Sequence, residues 1–212
     1  MQTLSKNAPM PVVRRLPKYH RNLKELLEEG ITKISSKDLS ERMGLTASQI
    51  RQDLNYFGGF GQQGYGYNIE DLIKVIEDIL SINNKYNCII IGAGNLGKAI
   101  SNYILNLDGN AKVLAMFDVD AGKTNKIFND INIYNMSELK DYLKKNEIDI
   151  AILAVPKSSG VEVAKDVINN GIKSIWNFST ADIAVGNDIV IENMAINESF
   201  YTLTYLISEN KK

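Results

Sequence analysis

At 212 residues, 44% hydrophobic and 23% charged, the chain has the balance of an ordinary globular protein and suits one large domain or two small ones. It contains no run of about 18 apolar residues that would suggest a membrane span, and Met1 to Met10 holds no apolar segment that would serve as a signal peptide. A single cysteine, Cys88, excludes an internal disulfide and fits a reducing cytoplasm, no Cys/His cluster offers a metal site, and a net charge of −1 argues nothing for nucleic acid.

The charge is unevenly spread. Lys6, Arg14, Arg15, Lys18, Arg21 and Lys24 all precede the first acid, Glu25, so the N-terminal arm reads as a basic edge suited to a polyanion. A solvated basic tail is the plain alternative. Pro17 to about Glu29 reads as a helix, with proline in its first turn, Leu23, Leu26 and Leu27 on one face, and Gly30 as its stop. Ser36 is the expected cap of a second helix, Lys37 to Met43, with Gly44 left-handed after it. The T-x-x-Q pattern of Thr46 to Gln49 then opens a third helix that runs to about Tyr56. Two short helices about a glycine turn make a helix-turn-helix signature.

Ala47, Ile50, Leu54 and Phe57 recur at helical spacing and face inward, which leaves Ser48, Arg51, Gln52 and Asn55 on the other side. Arginine bridges guanine O6 and N7 in the major groove, and glutamine bridges adenine N6 and N7. Ser48, Gln49, Arg51 and Gln52, with Arg14 and Arg15 of the arm, are therefore the candidate contacts to double-stranded DNA. Gly58 to Tyr67 holds five glycines among aromatics and amides. It reads as a hairpin with a glycine-rich tip, a wing whose Gln63 or Tyr65 touches phosphate or the minor groove. Asn68 caps a further helix, Ile69 to Leu80, and Ser81 to Lys85 is the expected boundary. Residues 1–82 are thus expected to form a winged helix-turn-helix domain.

The second half opens on an apolar run, Asn87 to Ile91, that breaks into Gly92, Gly94 and Gly97 in G-x-G-x-x-G order, followed at once by a helical pattern. Strand, glycine turn and helix N-terminus together cradle a pyrophosphate. Gly92, Ala93, Gly94, Asn95, Leu96 and Gly97 are the candidate phosphate loop. A second strand, Lys112 to Phe117, ends in Asp118, about 20 residues past the last glycine, where a carboxylate accepts from an adenosine ribose. That acid disfavours a ribose 2′-phosphate by charge repulsion, so NADP(H) is the least expected dinucleotide.

Beyond Asp118 an irregular stretch is expected to Asp130, then a short strand from Ile131 to Ile133 and a helix capped by Ser137. A buried strand runs from Asp149 to Val155 and stops at Pro156, Ser159 opens a helix to Asn169, and Lys173 to Phe178 is a last strand. Strands alternating with helices imply an α/β fold with a parallel, doubly wound sheet, expected over residues 86–194. Its ligand rim collects the glycine turn, Asp118, Val155 and Pro156. From Asn197 the chain is apolar over much of a helical circumference, which suits packing into a second subunit. Helix-turn-helix proteins usually read paired half-sites as two-fold dimers.

The runs Thr46-Ala-Ser-Gln-Ile-Arg-Gln-Asp-Leu54, Tyr56-Phe-Gly-Gly-Phe-Gly61, Gly64-Tyr-Gly-Tyr67, Ile91-Gly-Ala-Gly-Asn-Leu-Gly97, Phe117-Asp-Val-Asp120 and Gly171-Ile-Lys-Ser-Ile-Trp-Asn-Phe178 resemble the Rex family of redox-sensing transcriptional repressors. The resemblance covers nearly the whole chain, in order, and joins two unrelated domain types. It implies a homodimer on an A·T-rich inverted repeat, with Rossmann domains that sense the NADH/NAD⁺ balance and release the DNA when NADH binds. It also implies that the C-terminal helix, residues 195–212, is swapped and lodges between the two domains of the partner subunit. By position, Arg51 and Gln52 match the family's base- and phosphate-contacting pair, although many members carry lysine where Gln52 stands. Gln63 falls where a basic wing residue often sits. Both changes remove a charge, which lowers phosphate affinity and its salt slope. Tyr103 matches a tyrosine near the nicotinamide, Asp118 the ribose acid, and Arg21 an arginine of the domain-coupling contact, which Phe200 of the swapped helix is expected to share. Some members set an aspartate opposite that arginine. Met194-Ala195-Ile196 offers no acid there, so coupling is expected to run through nicotinamide packing and helix placement.

Two rival readings remain on the sequence. An NAD(H)-dependent oxidoreductase would need an acid/base pair, but the single histidine, His20, lies in the N-terminal helix and no Tyr-x-x-x-Lys follows the glycine turn. Lys157 on the rim could serve such an enzyme, but a phosphate contact or a solvated loop lysine is the plainer reading of it. A coenzyme A-binding module with an accessory helical domain is the other rival, because a glycine turn recognises pyrophosphate and not nicotinamide.

Overall fold

The computed structural model describes residues 8–58, 61–62, 66–106 and 109–210. The chain parts into two compact units between Asn84 and Lys85.

In the first unit, a single turn (α1, Met10–Val13) precedes the long helix α2, Leu16–Glu28, which carries Pro17 in its first turn. The arm is therefore more ordered than its composition suggests, since α1 buries Val12. A two-residue strand, β1 (Lys33–Ile34), leads to α3 (Ser36–Met43). Its cap is Ser35, not Ser36: the Ser35 hydroxyl accepts from Asp38 N at 3.1 Å, and Ser36 already sits inside the first turn. Gly44 takes the left-handed position at φ 64°. Helix α4 (Ala47–Asn55) is capped as expected by Thr46, which accepts from Gln49 N at 3.1 Å. Strands β2 (Gly61–Gln62) and β3 (Gly66–Asn68) pair antiparallel, and β1 joins the other side of β3. Asn68 caps α5, Ile69–Leu80, by accepting from Asp71 N.

One carboxylate lies at the centre of this unit. Asp53 of α4 is fully buried and accepts from Arg15 Nε and Nη2 at 2.7 Å each, from the Tyr19 hydroxyl at 2.9 Å and from Gln49 Nε2 at 2.9 Å. Burial pushes its carboxyl up, but the bonds from Arg15, Gln49 and Tyr19 outweigh that and hold it below the usual carboxylate range. Around it pack Leu16, Leu23, Leu39, Ile50, Leu54, Ile69 and Leu72. The capping-box reading of Gln49 is thus half right, because its backbone serves the cap while its side chain turns to Asp53.

The second unit is built on a seven-stranded sheet. Its elements in chain order are β4 (Tyr86–Ile91), α6 (Asn95–Leu105), β5 (Ala111–Asp118), β6 (Lys126–Phe128), β7 (Ile131–Asn135), α7 (Leu139–Leu143), β8 (Ile150–Leu153), α8 (Lys157–Asn169), β9 (Ser174–Asn177), β10 (Val190–Asn193) and α9 (Ile196–Glu209). The strand order is β10-β9-β8-β4-β5-β7-β6, parallel throughout except for the β6–β7 pair. This is a Rossmann-like arrangement. The chain runs outward from β4 through β5 to β7, then returns to the other side of β4 at β8, which opens a crevice at the carboxyl ends of β4 and β8. Both faces of β4 are covered, Ile89 and Ile91 on one side and Cys88 and Ile90 on the other, as the unbroken apolar run requires. The Cys88 thiol is pushed up to about 11 by burial and by the Asp149 charge, so it stays protonated and acts as packing.

Several expectations change. Strands β6 and β10 sit at the sheet edges and carry too few inward residues to announce themselves. Asn135, not Ser137, caps the turn into α7, and Glu138 closes a reciprocal capping box. Helix α8 starts at Lys157, two residues before Ser159, because Pro156 serves as its N-cap. No residue of α9 is buried. Among the described residues no helix is long and apolar enough to cross a membrane, and no group of three or more metal-ligating side chains comes together.

Removing Asp53 strips the buried Tyr19 hydroxyl and the half-buried Arg15 and Gln49 of their shared acceptor. Asp53→Ala is expected to lower the unfolding free energy of the first unit by ~3 kcal/mol, measured by urea titration with amide exchange as the readout. The folded pKa of Asp53 lies below its unfolded value. Its charge-linked contribution is therefore complete above the ordinary carboxylate range and fades as pH falls through the folded value, so the gap between wild type and variant should narrow below about pH 4.

Candidate functional site

The turn from β4 into α6 is shaped by close approach. Gly92 has φ +103°, and a Cβ there would strike the Ala154 carbonyl. A Cβ on Gly97 would strike the Gly92 carbonyl, so α6 lies on β4 with no room for a methyl group. A Cβ on Gly94 would meet nothing within 4 Å, because it would project into open space. Gly94 is the N-cap of α6 and no side chain caps the helix. That end opens on a cleft of about 570 Å³, lined by Gly92, Gly94, Asn95, Leu96, Asp118, Val155 and Pro156. A helix N-terminus of this kind favours an anion.

Asp118 closes the far side of the cleft. Its Oδ2 accepts from the buried Ala93 N–H at 2.8 Å and from Lys123 Nζ at 3.2 Å, and its Oδ1 accepts from Asp120 N at 2.9 Å. Burial raises its carboxyl, but these backbone donors and Lys123 outweigh burial and hold it below the usual range. Asp118 is therefore ionised and open to accept from a hydroxyl group. The N–H of Ala93 is committed to Asp118, which takes it out of the set free to meet a phosphate. Val119, Asp120, Lys123, Met136, Ser159 and Val163 also line the cleft. None was singled out from the sequence. Lys123 had the clearest signal, as a cation shortly after a strand that ends in an acid.

Tyr103 is not brought to the cleft. It lies eight residues along α6 from Asn95, about 12 Å away, and is 60% exposed. Phe200 is also exposed and borders a separate hollow with Phe178, Thr180 and Met194. His20 is bound within its own unit, with Nε2 2.9 Å from Glu77 Oε1. Lys157 borders a polar hollow with Asn177, Asp182 and Glu198 rather than the glycine cleft.

The first unit presents Ser48, Arg51, Gln52 and Asn55 on the exposed side of α4. Arg51 Nη1 donates to Ser36 Oγ at 3.0 Å, which ties the guanidinium to the start of α3. Two candidate contacts are corrected. Arg15 and Gln49 turn inward to Asp53, because a buried carboxylate without donors costs several kcal/mol. Much of the remaining basic edge is also engaged. Lys18 Nζ donates to the Met43 carbonyl at 2.6 Å, Lys24 stands 3.6 Å from Glu77, and Arg21 stands 4.0 Å from Glu25 while remaining exposed. Arg14 is exposed. Gln63 and Tyr65 lie outside the described residues.

Residues 7–55 match a family described as the N-terminus of a putative DNA-binding protein, and residues 83–181 match one described as a CoA binding domain. The chain is 50% identical to the redox-sensing transcriptional repressor Rex of Clostridium botulinum, over 97% of this chain and 98% of that protein. A solved structure of RSP with β-NAD⁺ and operator DNA is 44% identical, with a TM-score of 0.90, covering 98% of this chain and 95% of that one. RSP with β-NADH is 42% identical at a TM-score of 0.87, covering 96% and 95%. The chain belongs to the Rex family of redox-sensing transcriptional repressors.

Gly94 and Gly97 should separate under substitution. Gly94→Ala is expected to keep the wild-type melting temperature and to weaken calorimetric binding of ADP-ribose about tenfold, a loss of ~1.4 kcal/mol. Gly97→Ala is expected to destabilise the second unit by ~1–3 kcal/mol through overpacking against backbone.

Proposed function

We propose that this Rex-family chain is a redox-sensing transcriptional repressor that works as a homodimer, holding operator DNA through α4 and reading NADH against NAD⁺ in the glycine cleft. One observation carries the reading. A single chain joins a capped helix-turn-helix, whose outer face presents Ser48, Arg51 and Gln52, to a cleft with a glycine turn and an ionised Asp118. The relatives that share this whole length are named as redox-sensing repressors, and RSP has been solved with operator DNA, NAD⁺ and NADH.

In the nucleotide site, the α6 N-terminus and Gly94 receive the pyrophosphate, Asp118 accepts from the adenosine ribose, and Val155 and Pro156 line the path toward the nicotinamide. NAD⁺ and NADH share the adenosine half, so discrimination must fall at the nicotinamide. A neutral dihydronicotinamide suits an apolar surround that a charged ring resists. The apolar side chains of a partner's C-terminal helix supply that surround in this proposal. Ile196, Phe200, Tyr201, Leu203, Tyr205, Leu206 and Ile207 are each 46–65% exposed in the single chain, an apolar surface of a kind that marks an interaction site. A swapped α9, lodged between the domains of the partner subunit, covers it.

On the DNA, Arg51 and Gln52 read base edges and phosphates of an A·T-rich inverted repeat, Ser48 and Arg14 bind the backbone, and a β2–β3 wing with Gln63 and Tyr65 lies alongside. Arg21 and Phe200 couple the domains. NADH acts by population shift, binding the released arrangement better than the DNA-bound one, and the coupling cannot exceed that difference in affinity. An oxidoreductase is disfavoured because Lys157 borders a polar hollow and not the cleft, and His20 is engaged by Glu77. Coenzyme A is disfavoured because RSP, alike over nearly the whole length, has been solved with NAD⁺ and with NADH.

In a mobility shift on an A·T-rich inverted repeat, saturating NADH is expected to release the DNA while equimolar NAD⁺ leaves it bound; retention at saturating NADH would overturn the reading. Phe200→Ser combined with Leu203→Ser is expected to convert a dimer to a monomer in sedimentation velocity. An unchanged dimer would remove α9 from the interface.

A further inference from the structure

A carboxylate at the end of β5 argues, on charge alone, that a ribose 2′-phosphate is excluded. The structure adds a cation to that argument. Lys123 Nζ lies 3.2 Å from Asp118 Oδ2 and 3.6 Å from Asp120 Oδ2, inside the same cleft. A carboxylate offers about four acceptor positions. Asp118 has filled three of them, from Ala93 N, Asp120 N and Lys123 Nζ, which leaves one on Oδ1 for a hydroxyl. One of the two carboxylate charges that would repel a phosphate is therefore countered at that end of the cleft.

Lys123 is also built to move. Its side chain is 40% exposed, and a four-carbon stem lets the ammonium swing from a carboxylate to a nearby phosphate without shifting backbone. Asp118 keeps its two backbone donors when the lysine leaves, so the carboxylate is not stranded. Without Lys123, Asp118 and Asp120 would face a dianion unopposed.

We propose that Lys123 is a specificity-determining residue that opens the ribose end of the cleft to a 2′-phosphate, making 2′-phosphorylated dinucleotides a second, weaker class of ligand. This rests on the nucleotide reading of the cleft but not on its redox discrimination, because the determinant lies at the adenosine end. A lysine that only held Asp118 in place would affect both ligand classes alike.

The test is calorimetric titration of the full chain with ADP-ribose and with 2′-phospho-ADP-ribose, comparing wild type, Lys123→Gln and Lys123→Arg. Wild type is expected to bind both, the phosphorylated probe more weakly. Lys123→Gln should weaken the phosphorylated probe about fivefold and ADP-ribose by less than about twofold, as a half-exposed ion pair allows. Lys123→Arg should restore the phosphorylated probe. Equal losses for the two probes in Lys123→Gln, no change in either, or no binding of the phosphorylated probe to wild type each overturn the proposal. If wild type binds neither probe, the nucleotide reading of the cleft falls as well, which separates the two failures.

Discussion

The contact between α6 and β4 is the constraint on which the ligand end of this protein depends. Gly92 and Gly97 have backbone where any other residue would need its Cβ. That closeness brings the uncapped N-terminus of α6 to the mouth of the cleft and leaves Gly94 facing open space. The same turn presents the Ala93 N–H to Asp118, so the tip of β5 is locked to the end of β4 through a carboxylate. Anion attraction at one side of the cleft and hydroxyl acceptance at the other follow from these few backbone positions.

A second carboxylate organises the first unit on different terms. Asp53 carries no ligand function, yet its burial demands donors, and the chain supplies them from α2 and from its own helix. Arg15 and Gln49 look available to DNA when only charge and periodicity are considered. The desolvation cost of Asp53 claims both of them. The residues left on the outer face of α4 are those whose direction carries them away from that carboxylate, Ser48, Arg51, Gln52 and Asn55. The polar interior thus fixes the angle at which α4 is presented and narrows the set that can reach a base.

Helix α9 poses the opposite problem, an apolar surface in need of a cover. A folded chain rarely leaves seven large apolar side chains of one helix half-exposed without a cover. If two copies exchange this helix, a change at the nicotinamide end of one cleft is felt by the partner directly. That geometry suits a sensor whose output is the spacing of two DNA-reading helices. The coupling free energy needed is modest, typically ~1–3 kcal/mol.

What the sequence determined by itself was local. Apolar periodicity placed α2, α4, α5 and the central strands, glycine spacing placed the turn from β4 into α6, and the acid ending β5 marked the far side of the cleft, because these signals are carried by residues adjacent in the chain. The edge strands β6 and β10 escaped notice since an edge strand buries little and needs little pattern. Helix starts shifted by one or two residues where several polar side chains competed to cap. Tertiary structure alone decided which cations were free, because that turns on a buried carboxylate in a different helix. It alone set Lys123 beside Asp118 and left Tyr103 outside the cleft, since both facts depend on where distant segments meet and not on what they contain.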